Sequence, residues 1–227
     1  MHRHIAPAIA WTLALLGFVA MALLAARHDT FPADVWFAQH LQDLDSPVLS
    51  FILDVPEEIS DEPLIAVVWA GATILVLATI GWRQALLLVA AFILRFSNGQ
   101  LKDLVGRPRP SLDLVSAERQ PPGLSFPSGH EQSVVLLYGL LFYFATVYIK
   151  DPGQRIAAQI FCAWVIVFVG FERVYVGHHW PSDVVGGAWL AGLLLAVLIA
   201  VDQLVFRRYS TASAVGRSTP RTGAATP

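Results

Sequence analysis

Residues 172–183 read Glu-Arg-Val-Tyr-Val-Gly-His-His-Trp-Pro-Ser-Asp and separate two long apolar segments. This polar stretch contains a histidine and a carboxylate four residues apart, His179 and Asp183, with Pro181 between them. Because proline is tolerated in the first turn of a helix, we expect a helix to begin near Trp180 or Pro181. Asp183 would then lie in the first turn and His179 just outside it. In that arrangement the carboxylate can hold one imidazole nitrogen and leave the other free to attack.

Arg173, in the same stretch, adds a permanent positive charge that could bind an anionic group. The alternative interpretation is an ordinary juxtamembrane loop with interfacial His, Trp and Arg side chains. Two further polar clusters, at residues 102–110 and 127–130, favour a functional site over that alternative.

The composition is typical of a membrane protein. The 227 residues are 56% hydrophobic and only 14% charged, and the mean hydropathy is +0.58, which lies outside the usual range of soluble domains. A formal net charge of −2 gives no indication of a nucleic-acid partner. The single cysteine, Cys162, lies in an apolar run, which excludes a disulfide framework and a Cys-based metal site.

Six apolar segments predict an all-α, polytopic protein with six transmembrane helices, since a helix needs roughly 20 residues to cross a bilayer. The segments are 5–26, 63–81, 84–101, 132–149, 156–176 and 183–206. A cleaved signal peptide is the alternative for the first, because Arg3 and the alanines at its end fit one. Its apolar core is longer than a usual signal peptide's, and we favour a retained helix.

The loop between the first two segments, residues 27–62, holds nine acidic side chains and one arginine. Five apolar residues recur there at helical spacing: Phe31, Val35, Ala38, Leu41 and Leu44. The stripe predicts a short helix lying in the membrane interface, although packing on the transmembrane bundle would produce the same pattern.

The distribution of positive charge predicts the orientation. It is concentrated at Arg3, in the turns 82–83 and 150–155, and in the tail after the last segment. By the positive-inside rule these parts and both termini are cytoplasmic, whereas the loops 27–62, 102–131 and 177–182 lie outside. We expect an integral protein of a bacterial inner or plasma membrane, with a membrane domain at 1–208. The tail 209–227, rich in Ser, Thr, Ala, Pro and Gly, is expected to be disordered and cytoplasmic.

Residues 102–110 read Lys-Asp-Leu-Val-Gly-Arg-Pro-Arg-Pro and bring three cations to the outer end of the third segment. Positive charge outside runs against the orientation rule, so we expect Lys102 and Arg109 to bind a phosphate. Arg107 and Arg119, by contrast, are expected to be snorkelling side chains near a helix end.

Pro-Ser-Gly-His at residues 127–130 immediately precedes the fourth segment. Ser128 followed by Glu131 three residues later fits a capping box. Capping and phosphate binding can coexist, because Gly129 lets a ligand approach the backbone and a helix N-terminus attracts anions. His130 in the first turn would reach the leaving oxygen of a bound phosphate as a general acid.

These clusters resemble one known family, the type 2 phosphatidic acid phosphatase superfamily. Its patterns Lys-x6-Arg-Pro, Pro-Ser-Gly-His and Arg-x5-His-x3-Asp occur in order at 102–110, 127–130 and 173–183. The resemblance covers roughly residues 100–185, and it implies six helices with a site on the outer side of the membrane.

The resemblance also implies the chemistry. The catalytic residues would be His179 as nucleophile, Asp183 as its orienting partner and His130 as the acid. The phosphate-binding residues would be Lys102, Arg109, Ser128, Gly129 and Arg173. The reaction would pass through a phosphohistidine without a metal or another cofactor, because the cations do the electrostatic work that Mg²⁺ does elsewhere.

The implied substrate is a lipid phosphate that reaches the site from the surrounding membrane lipids. Phosphatidylglycerol phosphate, undecaprenyl pyrophosphate and phosphatidic acid all fit, and Arg107 or Arg119 could bind the second phosphate of a pyrophosphate. A non-catalytic phospholipid-binding or carrier protein on the same scaffold is the alternative function. A protein that only binds or carries a lipid does not need a histidine and an aspartate at the spacing of His179 and Asp183.

Glu172 departs from the family pattern, which commonly has a small residue before the arginine of the third motif. Its carboxylate could compete with phosphate, or it could turn away and pair with Arg95. Arg95 lies seven residues before Lys102 on roughly the same helical face, where an unpaired charge inside the bilayer is costly.

Overall fold

A computed structural model of the protein describes residues 5–44, 46, 48, 52–53, 63–117 and 119–207, and these form helices and connecting segments without a strand. The helices are α1 (Ile5–Ala25), α2 (Pro32–Gln42), α3 (Leu64–Thr79), α4 (Trp82–Leu94), α5 (Ser97–Val105), α6 (Gly129–Tyr148), α7 (Pro152–Tyr175) and α8 (Pro181–Val201). A π-helical turn, Asp202–Arg207, follows α8. The all-α prediction is confirmed for this part of the chain. The predicted tail 209–227 lies outside the described residues.

Five helical segments are long and apolar enough to cross a membrane: Ile5–Ala25, Trp82–Val105, Gly129–Tyr148, Pro152–Tyr175 and Pro181–Val205. The apolar helix α3 has 16 residues, about 24 Å at 1.5 Å per residue, against a hydrocarbon core of about 30 Å. Five of the six predicted spans therefore meet the length criterion, and the span at 63–81 stays a prediction.

The segment Trp82–Val105 is interrupted at Arg95 and Phe96, between α4 and α5. The Leu94 carbonyl at this break accepts hydrogen bonds from Ser97 Oγ at 2.8 Å and from the Gln132 amide at 3.5 Å. Side chains thus provide hydrogen-bond donors for a backbone carbonyl at the point where the helix is interrupted. The seven-residue spacing from Arg95 to Lys102 crosses this break, and the predicted common face of these two residues stays a prediction.

Helix α6 lies at the centre of the bundle. Eleven of its 20 residues are buried, compared with two of the 21 residues of α1. Its core side chains include Val134, Leu136, Leu137 and Leu140, all fully buried. Burial on nearly all sides is expected of a helix surrounded by others, so α6 sets the position of its own N-terminus within the protein.

Helix α1 packs along α8. The Trp11 indole donates to the Leu193 carbonyl at 3.0 Å, and the Phe18 ring stacks on Phe126 with centroids 6.2 Å apart. The retention of this first helix stays a prediction.

The apolar stripe in the first loop forms α2 and packs on the bundle. Ala38 is buried in a cluster with Val115, Val174 and Trp180, whereas Trp36 on the opposite face is 60% exposed. Packing on the bundle, the alternative noted for the sequence, therefore accounts for the stripe. An interfacial position of α2 stays a prediction.

Helices α6 and α8 approach each other closely near the N-terminus of each. At Gly187 on α8 a Cβ atom would collide with the backbone carbonyl of Ser128. Farther along the same helix, a Cβ at Gly192 would meet nothing within 4 Å. Of these two glycines, Gly187 alone lies where the two segments touch.

We expect Gly187→Ala to destabilise the protein by about 1–3 kcal/mol, the usual effect of forcing extra volume into a packed contact. Gly192→Ala is the matched control and should leave stability unchanged or slightly raised, because alanine favours helix. Thermal unfolding of both purified variants in one detergent measures the difference. Equal melting temperatures would contradict the close approach of α6 and α8.

Candidate active site

Four helix ends meet at one end of the bundle. They are the C-termini of α5 and α7, near Lys102 and Arg173, and the N-termini of α6 and α8, which begin at Gly129 and Pro181. The three polar clusters recognised in the sequence are therefore neighbours, although Lys102 and Asp183 lie 81 positions apart along the chain.

Helix α8 begins as the sequence predicts. Pro181 occupies its first turn after Trp180 as N-cap, and Asp183 lies in that turn. The Asp183 carboxylate accepts a hydrogen bond from the Trp180 amide at 2.8 Å, which satisfies a free amide of the helix terminus. His179 is just outside the helix, with Nδ1 at 3.6 Å from Asp183 Oδ2. Both side chains are buried.

The end of α7 fixes the backbone of His179. The amides of His178 and His179 both donate to the Arg173 carbonyl, at 3.1 and 3.0 Å. The turn requires Gly177, which has φ +72° and whose Cβ would lie 2.5 Å from the Ser116 carbonyl. Only glycine adopts this conformation without strain. The capped end of one helix thus positions the candidate nucleophile at the start of the next.

Asp183 has partners that sequence reasoning missed. Its Oδ1 accepts from Arg107 Nη1 at 2.7 Å, and its Oδ2 accepts a short hydrogen bond from Ser125 Oγ. Ser125 Oγ also lies 3.3 Å from Nδ1 of His179. The serine stands two residues before the Pro-Ser-Gly-His motif, and no spacing or composition signal distinguishes it.

Arg107 is not a snorkelling residue, and that prediction was wrong. Its side chain is fully buried between two carboxylates, Asp183 and Asp34, with nitrogen–oxygen distances of 2.7 and 2.9 Å. Buried carboxylates need a nearby cation, since an uncompensated buried charge is strongly destabilising. Arg107 is therefore also not available to bind the second phosphate of a pyrophosphate.

Lys102 and Arg109 line the approach to His179. Lys102 Nζ donates to the Leu124 carbonyl at 2.9 Å. Arg109 Nη1 donates to the His178 carbonyl at 2.7 Å and lies 3.4 Å from Nε2 of His179. Burial lowers the pKa of Arg109 from its ordinary value, Asp183 raises it and the nearby charge of Arg173 lowers it. The imidazole nitrogen that points away from Asp183 thus faces a cluster of positive charge.

Ser128 caps α6, as predicted. Its Oγ accepts from the Glu131 amide at 3.5 Å. The reciprocal half of a capping box does not form, because the Ser128 amide donates to the Asp183 carbonyl at 2.9 Å. This bond joins the N-termini of α6 and α8. The next amide, at Gly129, is at the first position of the helix, where amides have no partner within the helix.

Asn98 on α5 supports the same loop and was missed in the sequence. It is buried, its Nδ2 donates to the Pro127 carbonyl at 3.2 Å, and its Oδ1 would lie 3.1 Å from a Cβ at Gly129. Because Asn98 is one helical turn before Lys102, it links the helix of the lysine to the loop of Ser128 and His130.

Glu172 is paired with its neighbour: Arg173 Nε donates to the Glu172 carboxylate, and both side chains are buried. Arg95 lies over the rings of Phe92 and Phe96, each at 5.1 Å from its guanidinium carbon. The Glu172–Arg95 pair stays a prediction. The carboxylate reduces the charge that Arg173 presents to an anion.

His178 is oriented away from Asp183. Its Nε2 donates to the Arg119 carbonyl at 2.9 Å, and the Arg119 side chain is exposed. The pKa of His178 is lowered to about 4, first by burial and then by Arg173, with Arg109 and His130 adding to the effect. His130 is thus within electrostatic reach of the cluster. Of the two adjacent histidines, only His179 has a ring nitrogen beside the carboxylate.

The structure gives His179 a neutral ring. Its pKa is lowered to about 3, mainly by burial, with Asp183 acting in the opposite direction and Lys102 and Arg109 adding to the lowering. A neutral imidazole is the form required of a nucleophile, because protonation removes the attacking lone pair.

Comparison of the sequence with known protein families identifies the family of this chain. Residues 81–207 match the PAP2 superfamily, which is more than half of the 227 residues, and the chain belongs to that superfamily. The resemblance inferred from the three motifs is confirmed.

Among relatives, phosphatidylglycerophosphatase B of Bacillus subtilis (strain 168) is 31% identical over 146 residues, covering 64% of this chain and 69% of that protein. An undecaprenyl-diphosphatase of Sulfolobus acidocaldarius is 30% identical over 136 residues, covering 58% and 61%. The fold is that of the crystal structure of the transmembrane PAP2-type phosphatidylglycerolphosphate phosphatase from Bacillus subtilis. The two align with a TM-score of 0.72 and 22% identity over 86% of this chain and 96% of the other.

The lowered pKa of His179 gives a prediction for stability. In the unfolded chain His179 takes up a proton below its ordinary pKa of 6.5, whereas in the folded protein it does so only near pH 3. The contribution of this group to the free energy of unfolding is therefore complete above pH 6.5. It decreases as the pH is lowered, by about 1.4 kcal/mol per pH unit well below pH 6.5. The melting temperature should drop from pH 7.5 to pH 5, and His179→Gln should show a smaller drop. An equal drop in both proteins would contradict the neutral buried ring.

Proposed function

We propose that the protein is an integral membrane lipid phosphatase. It removes the terminal phosphate of a lipid phosphate or pyrophosphate at the extracytoplasmic leaflet, through a phosphohistidine. The observation that carries the proposal is the environment of His179: Nδ1 faces the Asp183 carboxylate at 3.6 Å, while Nε2 lies 3.4 Å from the guanidinium of Arg109. The ring presents its lone pair where a phosphate would be bound.

In the first step, the Nε2 lone pair of His179 attacks phosphorus and the bond from phosphorus to the lipid oxygen breaks. The leaving oxygen takes the bond's electron pair and a proton from His130. Asp183 keeps the Nδ1 proton in place and stabilises the positive charge that develops on the ring. Contacts of this kind are often long in unliganded sites and shorten when substrate binds, which supports the role of a 3.6 Å pair.

In the second step, water attacks the phosphorus of the phosphohistidine and gives its proton to His130. The bond from phosphorus to nitrogen breaks, which releases inorganic phosphate and restores neutral His179. Lys102, Arg109 and Arg173 hold the three equatorial oxygens and stabilise the charge of both transition states. Gly129, at the N-terminus of α6, adds a backbone amide, and Ser128 keeps that terminus in place.

These cations also support a mechanism without a metal ion, since they supply the positive charge that Mg²⁺ gives other phosphotransfer enzymes. Within the part of the chain that the structure describes, no group of three or more His, Cys, Asp and Glu side chains is arranged to hold a metal. Metal independence stays a prediction, which the assay below tests.

A lipid substrate is supported by the position of the site at the ends of long apolar helices and by the names of the relatives. The candidates remain phosphatidylglycerol phosphate, undecaprenyl pyrophosphate and phosphatidic acid. With Arg107 held in an internal ion pair, Arg119 is the remaining predicted contact for a second phosphate. An acidic first loop and basic turns at the opposite end support an extracytoplasmic site in a bacterial membrane.

Phosphate release from the three lipids by the purified, detergent-solubilised protein tests the proposal. We expect His179→Ala to lose at least about 10³-fold in kcat/KM, as removal of a covalent nucleophile does. His178→Ala is the matched control and should retain activity within about tenfold, because it leaves the backbone carbonyl that binds Arg109.

Equal release by the wild type and His179→Ala would refute the mechanism and favour the non-catalytic lipid binder. An equally large loss of kcat/KM in His178→Ala would show that His179 alone cannot be assigned as the nucleophile. Excess chelator added to the same assay should leave the rate unchanged, and a strict requirement for a divalent metal would contradict the metal-free mechanism.

A further inference from the structure

Three buried charges of alternating sign connect α2 to the site. Asp34 on α2 pairs with Arg107, and Arg107 pairs with Asp183, with nitrogen–oxygen distances of 2.9 and 2.7 Å. All three side chains are at least 95% buried. The far end of this chain of charges is His179, beside Asp183. Asp34 lies before residue 81, where the match to the superfamily begins.

The guanidinium of Arg107 is divided between the two carboxylates. Nη1 donates to Asp183 Oδ1 and Ser182 Oγ, both at 2.7 Å, whereas Nη2 donates to Asp34 Oδ2 at 2.9 Å. Nε donates to the Asp29 carbonyl at 3.2 Å, and the Phe31 ring lies 4.8 Å from the guanidinium carbon. One oxygen of Asp183 is thus bound to Arg107, and the other, Oδ2, is left for Ser125, the Trp180 amide and His179.

Asp34 is itself fixed against the start of α8. Its Oδ1 accepts from the Ser182 amide at 2.8 Å, and its Oδ2 accepts from Ser182 Oγ. A carboxylate is favourable at this helix N-terminus, where amides lack partners in the helix. Asp34 therefore holds Arg107 and the first turn that carries Asp183 in one geometry.

We propose that Asp34 is a positioning residue for the phosphatase reaction, acting through Arg107 on Asp183 and so on His179. This inference rests on the proposed function of His179 as the nucleophile. Without the charge of Asp34, Nη2 of Arg107 loses its partner, and the guanidinium turns to bind both oxygens of Asp183. Bidentate pairing is the preferred geometry of arginine with a carboxylate. Asp183 Oδ2 is then drawn away from Nδ1 of His179.

The test compares Asp34→Asn with Asp43→Asn, a control whose carboxylate is exposed just after the same helix. Asparagine keeps the size and one acceptor oxygen, so Ser182 retains a partner. We expect Asp34→Asn to lower kcat by about 10- to 100-fold, the usual effect of a slightly misplaced reacting group. KM should stay within about threefold, because the cations that bind phosphate are untouched. Asp43→Asn should match the wild type.

A double-mutant cycle with Arg107→Gln tests the route of the effect. If Asp34 acts through Arg107, Asp34→Asn should change kcat by less than about threefold once Arg107 is replaced. Full additivity of the two substitutions would overturn the proposal. So would a lower melting temperature of Asp34→Asn with kcat unchanged, because α2 would then be held by Asp34 without any effect on the chemistry.

A measurement that does not depend on turnover separates this proposal from the proposed function. In protein labelled with ¹⁵N histidine, the ring signals of His179, assigned with His179→Gln, report which nitrogen carries the proton. The wild type should show a proton on Nδ1 only, and Asp34→Asn should show protons distributed over both nitrogens. Unchanged signals would overturn the role of Asp34, even in a protein that hydrolyses none of the lipids. Absence of hydrolysis by the wild type would instead overturn the proposed function.

Discussion

The burial of the Asp183 carboxylate is the constraint on which the rest of the site depends. A carboxylate out of water costs several kcal/mol unless cations and hydrogen-bond donors surround it. Asp183 obtains them from Arg107, Ser125 and the Trp180 amide. Its own carbonyl receives the Ser128 amide. These groups come from three separate parts of the chain, at Arg107, in the loop 125–128 and at Trp180. The partners of this one residue therefore bring the segments of the candidate site together.

A second constraint is the crowding of positive charge on the outer side of His179. Lys102, Arg109 and Arg173 act on the same small region, as their effects on the neighbouring pKa values show. Like charges repel more strongly where water is partly excluded. An anion with several oxygens would stabilise this cluster of cations, and phosphate matches both the charge and the geometry of the cluster. Burial keeps the ring of His179, the proposed nucleophile, neutral beside these cations, so that phosphate binding and attack would not compete.

The sequence predicted the parts of the site that local rules govern. Proline in a first turn placed the start of α8 near Pro181, and Ser128 was recognised as a helix cap. Topology from charged turns predicted that the three clusters would share one end of the bundle. Each of these inferences needs only neighbouring residues or the count of membrane crossings.

Contacts between distant segments could not be predicted in this way. Arg107 looked like an ordinary cation at a helix end, because its partner Asp34 lies 73 residues earlier in an acidic loop. Ser125 carries no pattern at all, and the pairing of Glu172 with the adjacent Arg173 was not foreseen. The stripe on α2 was recognised, but periodicity does not distinguish a membrane surface from the surface of a helix bundle.

An experimental structure with bound orthovanadate tests the central claim most directly, because vanadate adopts the five-coordinate geometry of phosphoryl transfer and binds as a transition-state analogue does. Our account predicts vanadium bonded to Nε2 of His179, with its equatorial oxygens contacting Lys102, Arg109 and Arg173 and an apical oxygen near His130. Vanadate bound through His178, or bound away from these cations, would contradict it.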